Sequence, residues 1–182
     1  MPGSRMMFVT LGLTVAATAH AECTEAYTVD SLLEDLVKVE SAMRTGDSET
    51  AKTGAVALES NIACLDEVVP YMLVGRVYRA IGLGIWDGGD HDKGRKWLLT
   101  ATEVDPGFTF GLEELPETHP LRADLAEIKD AGDILPTELE GASFVDGTFY
   151  MDGSIIGSPR ATPDRPHVLQ QQDGGVKGWL FE

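Results

Sequence analysis

Between residues 30 and 63 the apolar positions recur with a helical period twice over. Leu32, Leu36, Val39 and Met43 fall at i, i+4, i+7 and i+11, which lines them along one face of a helix. Asp30 or Ser31 is placed to cap it, and Ser31 with Glu34 has the capping-box spacing. Thr45-Gly46-Asp47 stops that helix and starts the next, in which Ala51, Ala55, Leu58 and Ile62 repeat the same offsets. The pattern predicts an antiparallel helical hairpin. A second pair follows. Val69, Leu73, Val77 and Ala80 form the stripe of a helix running from near Asp66 and Pro70 to about Trp86. Asp87-Gly88-Gly89-Asp90 interrupts, and a fourth helix carries Trp97, Leu98, Ala101 and Val104 before Asp105-Pro106, where proline cannot continue the ladder. The stretch 107–120 has neither period, and its Phe108 and Phe110 are expected to plug the helical array. A last amphipathic helix, with Leu121, Leu125 and Ile128, starts near Pro120, ends at Ala131-Gly132, and reads as a cap on the open end.

Beyond Ile134-Leu135-Pro136-Thr137 the period changes. Asp146-Gly147, Asp152-Gly153 and Asp173-Gly174 are hairpin-turn dipeptides, suited to positive φ. Phe149-Tyr150-Met151 precedes the middle turn and Ile155-Ile156 follows it. His167 to Gln170 and Val176 to Phe181 supply later strands. The predicted class is α+β: an N-terminal α-helical hairpin array over 22–133, a linker over 134–141, and a small antiparallel β-sandwich or meander over 142–182. The last strand either closes that module or belongs to a longer one.

Both halves resemble known families. Gly75 and Tyr78 in one helix, then Gly94, Leu98, Ala101 and Pro106 at spacings of 4, 3 and 5 in the next, resemble the tetratricopeptide pattern. The first hairpin follows it through Gly46, Ala51, Ala55 and Leu58, without the terminal proline, and the second carries extra residues at its turn. The resemblance implies a degenerate array of helix pairs with a concave binding face. Phe149-Tyr150-Met151-Asp152-Gly153 with Gly157-x-Pro159, then Arg165-Pro-His167-Val-Leu-Gln170, is similar to the PEGA modules of bacterial surface proteins. That similarity covers about residues 142–182 and implies a compact β-module of the cell envelope.

The N-terminus supplies the address. Arg5 is followed by a mostly apolar run from Met6 to Ala17 and then Ala19-His20-Ala21, the parts of a cleavable secretory signal over 1–21. The run is shorter than the roughly 20 apolar residues that span a bilayer. Glu22 directly before Cys23 argues against lipid attachment there. The expected localisation is therefore exported, periplasmic or at the cell surface, with no membrane span after cleavage. In such a compartment Cys23 and Cys64, the two cysteines of the chain, are expected to form a disulfide. Removing Arg5 with the leader takes the net charge from −16 to −17. That balance excludes nucleic acid, whose phosphates need clustered lysine and arginine.

Candidate chemistry is sparse. The sequence has no G-x-S-x-G elbow, H-E-x-x-H or C-x-x-C motif, so no catalytic residue is assigned and no cofactor is expected. Asp87, Asp90 and Asp92 on a glycine-rich turn offer hard oxygen ligands of the kind Ca2+ takes, with a solvated turn capping the fourth helix as the competing reading. Tyr71, Tyr78, Trp86 and Trp97 either line a peptide groove or fill the core between helices. Arg76 and Arg79, opposite the apolar stripe, suit an acidic partner or neighbouring carboxylates. Arg160 and Arg165, with His167, suit an anionic glycan or wall polymer. The reading reached is a non-enzymatic binding or scaffolding protein of the bacterial envelope. Its partner would be a protein, or else a wall or surface polysaccharide. The alternatives are a structural assembly factor of an envelope complex and a carboxylate-dependent hydrolase.

Overall fold

A computed structural model of the chain describes residues 23, 27–111, 115–130, 135–139, 147–158 and 160–181; the leader segment expected over 1–21 lies outside them. Helix α1, Val29–Thr45, buries Leu32, Leu36, Val39 and Ala42. Its N-cap is Thr28, whose hydroxyl accepts from the Ser31 amide. The capping residue thus stands two to three positions before the Asp30 or Ser31 expected, because Thr28 already has the extended backbone a cap requires. Gly46, at φ 72°, closes the helix in the left-handed region. Helix α2, Ser48–Ile62, is capped by Asp47 through the Thr50 amide and buries Ala51, Ala55, Leu58 and Ile62, the stripe the spacing predicts.

Helix α3, Tyr71–Asp87, is enclosed along its second half, from Ala80 to Trp86. It begins directly after Pro70, so Val69 does not belong to its stripe; Val69 is buried just upstream and serves another contact described below. Helix α4, His91–Val104, starts at an Asp90 cap. Each helix packs on the next, α1 on α2, α2 on α3 and α3 on α4. The close approach of α3 and α4 is at Gly82 and Gly94 rather than at Gly75. A methyl group added to Gly94 would meet the Gly82 carbonyl oxygen at 2.7 Å and the Trp86 backbone nitrogen at 2.7 Å. Substituting Gly94→Ala is expected to push the two helices apart and remove about 1–3 kcal/mol of stability. That is a melting temperature lower by about 3–10 °C, read by thermal denaturation. Gly107→Ala, where nothing lies within 4 Å, is the neutral control.

Helix α5, Leu121–Asp130, follows the irregular stretch; the side chain of Ile128 lies outside the described residues. Leu121 and Leu115 are fully buried beside Leu83, Trp86 and Leu98, with Phe110 and Leu125 packed against them. The helix therefore closes the end of the helical core as expected.

The strands follow in two antiparallel sheets. Strands β2 (Thr148–Met151), β3 (Ser154–Ile156), β5 (His167–Gln172) and β6 (Val176–Phe181) form one sheet in the order β3-β2-β5-β6. Strands β1 (Thr137–Glu138) and β4 (Arg160–Ala161) pair separately, Thr137 opposite Ala161. Part of the segment expected to be a linker is thus a strand of the β-module. Asp152-Gly153 makes the β2–β3 turn with positive φ at both residues, 51° and 76°, and Gly174 supplies the positive φ of the β5–β6 connection. Of Asp146-Gly147, Asp146 lies outside the described residues.

Alternation along β5 assigns its faces. Leu169 joins Met151, Ala161 and Phe181 in a small core of the β-module. Val168 turns the other way and is fully buried within the main helical core, beside which Leu180 of β6 also packs. The two halves of the chain therefore share one core.

Candidate functional site

The seam between the halves is polar as well as apolar, and it concentrates buried functional groups. The Asp152 carboxylate, at the β2–β3 turn, accepts from three donors. These are the hydroxyl of Tyr78 on α3, the Val168 amide at 3.0 Å, and His167 Nδ1 at 2.7 Å. The Thr162 amide donates to His167 Nε2 at 3.2 Å. That nitrogen carries a lone pair, and the ring proton sits on Nδ1, facing Asp152. The Val168 amide also reaches the Tyr78 oxygen at 3.1 Å. Next to this group Arg165 pairs with Glu103 of α4. Tyr78, Asp152, Arg165 and His167 are all buried.

An Asp–His pair can orient a general base. Here the base nitrogen is already engaged by a backbone amide, and no hydroxyl or thiol nucleophile among the described residues is bonded to it. What the arrangement does is fasten β2 and β5 to α3. Two residues further along β5, Gln170 fastens the strand to the segment just before α3. Its side-chain amide donates to the Glu67 carbonyl at 3.0 Å and accepts from the Val69 amide at 2.9 Å. Two glycines allow the backbones to meet. A methyl on Gly153 would strike the Val69 carbonyl at 2.6 Å, and one on Gly178 would strike the Ala63 carbonyl.

Burial, with the nearby Asp152 charge as a smaller cause, holds the Tyr78 hydroxyl well above its ordinary pKa. Burial and then Asp35 raise that of Tyr27, whose hydroxyl donates to Asp35. A raised folded-state value means the unfolded chain ionises first. The stability these tyrosines contribute is complete below about pH 10 and declines as pH rises past that ordinary value. Melting temperature is expected to fall as pH rises from about 10 upward, with a shallower alkaline limb in Tyr78→Phe; equal slopes in the two proteins would refute this.

Other expected residues are dispersed. Trp97 is buried, its indole donating to the buried Glu59 at 2.6 Å, with Lys93 pairing to the other Glu59 oxygen at 2.7 Å. Tyr78 is core and seam, not partner-facing, and Trp97 stands edge-on to it at 4.9 Å. Tyr71 is half-exposed and donates to the Val104 carbonyl. Arg165 is buried and paired with Glu103 rather than standing at the surface beside Arg160. Arg160 is exposed and paired with Glu138 at 2.9 Å.

Asp87, Asp90 and Asp92 do not converge. Asp90 caps α4, and Asp87 bonds to His119 Nε2 at 3.1 Å; burial raises the Asp87 pKa while His119 draws it back. Among the described residues no group of three or more His, Cys, Asp or Glu side chains is placed to hold a metal ion. Trp86 stacks on His91 beside this turn, with centroids 4.2 Å apart.

Arg76 and Arg79 remain at a surface depression. Arg76 makes a two-pronged pair with Glu40 of α1, both contacts 2.6 Å. Arg79 pairs with Asp105 at 2.9 Å and lies 3.4 Å over the Phe108 ring. With Met43, Ala80, Leu83 and Phe110 these side chains enclose a cavity of about 220 Å3 between α1, α3 and the irregular segment. A second, of about 180 Å3, lies towards α4 and α5 and shares Arg79, Phe108 and Phe110.

The Cys23–Cys64 disulfide is formed, with Cα atoms 5.5 Å apart. Among the described residues no helix is long and apolar enough to cross a membrane. No protein-family model, curated protein or solved structure matches the chain.

Proposed function

We propose that the chain is a non-enzymatic binding and scaffolding protein of the bacterial envelope. Its degenerate tetratricopeptide-like array takes a protein partner, and its PEGA-like β-sandwich is fixed to the array as part of one body. The observation that carries this reading is the depression between α1, α3 and residues 108–110. It combines an apolar floor of Met43, Ala80 and Leu83 with arginines at the rim, the mixture that anchors protein partners. The tetratricopeptide reading is supported by the contact of Gly82 with Gly94. The export reading is supported by the disulfide, a bond that persists in oxidising compartments, and by the signal-like segment 1–21.

The test is capture of partners from the native cell envelope with tagged residues 22–182, eluted in salt steps, beside the same protein carrying Arg76→Glu. This substitution reverses charge at the rim, where Arg76 is well exposed. One partner held through high salt by the parent and lost from the variant is the expected result. Equal recovery by both would place the partner elsewhere on the molecule. Recovery of bait alone would remove the protein-binding reading and turn the search to wall polymers and to hydrolysis.

A further inference from the structure

Phe108 and Phe110 stand between the two cavities as a partition. Their rings meet edge-on, with centroids 5.1 Å apart, and both are partly exposed. Open depressions of about 220 Å3 and about 180 Å3 flank this pair on its two sides. The segment also carries no helix or strand. Its backbone contacts include a bond from the Phe108 amide to the Asp105 carbonyl at 3.2 Å, and the Gly111 carbonyl accepts from the Leu115 amide at 3.0 Å and from Arg122 at 3.4 Å. The rings occupy the depression without filling it.

We propose that residues 108–110 are an internal occupant of this groove, which the partner displaces with an aromatic-x-aromatic segment of its own. The inference rests on the binding reading above and names the chemistry of the ligand. That chemistry is taken from the contacts the chain makes with itself. Arg79 receives an aromatic face from Phe108 and a carboxylate from Asp105, three residues earlier. In an extended backbone, residues i and i+2 project to the same side, so two aromatics at that spacing enter one groove together. A matching partner segment presents two aromatic side chains separated by one residue. The cation–π contact at Arg79 transfers from Phe108 to the incoming segment, while Asp105, fixed at the end of α4, keeps its pair with Arg79.

The probe is a capped, fluorescent peptide of residues 104–112, Val-Asp-Pro-Gly-Phe-Thr-Phe-Gly-Leu. Its binding is measured by anisotropy to the full chain carrying Phe108→Ser and Phe110→Ser. Binding at least about tenfold tighter than to the parent is expected, where the site is occupied. Adding Arg79→Gln, or placing serine at both aromatic positions of the peptide, is expected to abolish most of that gain. Equal binding to parent and variant, or none to a variant that still melts cooperatively, overturns the proposal. Should the double variant not fold, hydrogen exchange on the parent decides: amides 107–111 must lose protection as the peptide is raised to millimolar concentration, and unchanged protection overturns it. Failure here beside an Arg76-dependent partner in the capture experiment leaves the binding reading standing and removes displacement alone.

Discussion

Asp152→Ala is expected to destabilise the folded chain by about 3–5 kcal/mol, among the larger effects available to a single substitution. The carboxylate accepts from Tyr78, His167 and Val168 in a buried seam. Each donor stranded without a partner costs about 1–3 kcal/mol, partly offset here because the Val168 amide keeps the Tyr78 oxygen. Alanine also inherits a backbone at φ 51°, which aspartate and asparagine adopt more readily. Urea unfolding followed by circular dichroism measures the loss. Asp152→Asn retains one acceptor oxygen and the backbone preference, so it is expected to lose roughly half as much. Combining Tyr78→Phe with Asp152→Ala should cost less than the sum of the two, since Tyr78→Phe removes a donor that Asp152→Ala would orphan. A loss under about 1 kcal/mol for Asp152→Ala would mean the seam is held by Val168 and Gln170 without it.

Replacing both Cys23 and Cys64 with serine is expected to cost about 4 kcal/mol, the chain-entropy value for a separation of 41 residues. The melting temperature would fall by about 8–16 °C. The same number should appear on adding reductant to the parent protein, and not to the variant. The consequence is local as well as global. Cys64 lies in a short segment that contacts Cys23 and Tyr27, described residues of the N-terminal strap, and the β-module together. Leu65 bridges Tyr27, the Asp66 amide donates to the Tyr27 carbonyl, Ala63 meets Gly178, and the Glu67 carbonyl receives Gln170. Amide exchange in β6 should therefore rise in the cysteine-free protein beyond what the change in global stability explains. Unchanged exchange after correction for stability would confine the disulfide to the strap.

The helices were legible because burial and period agree. Leu32, Leu36 and Val39, or Ala51, Ala55, Leu58 and Ile62, mark one face each, with Glu59 the one acid buried beside the second stripe. The Asp-Gly turns were legible because positive φ restricts residue choice. What the sequence hid were contacts without a period. Gly75 and Gly82 both lie on α3, and only the packing distinguishes the glycine that admits α4. Asp152 reads as a turn residue, and nothing local says its carboxylate will reach a tyrosine 74 positions away. Glu103 and Glu59 look like surface acids until Arg165, Trp97 and Lys93 are brought to them. Arg165 was expected at the surface for the same reason: its partner comes from another element. Gln170 gave no signal of its own, being the first of three glutamines in β5, and only its burial shows that its amide needs partners at both ends.

The seam has a consequence for how the chain comes into being. Glu67, Val69 and Tyr78 find their seam partners between 74 and 103 residues downstream, whereas the helical hairpins close from neighbours in sequence. Synthesis runs from the N-terminus, so a nearly complete set of helices must wait, with an apolar socket and unpaired groups open to solvent, until His167 to Gln170 emerge. A product cut short before β5 keeps that socket open for good and cannot complete its core. In pulse-chase labelling, a chain stopped at residue 160 should be cleared many times faster than the full chain; equal lifetimes would show that the helices mature alone. The last strands to be made thus act as a proofreading stamp on everything made before them.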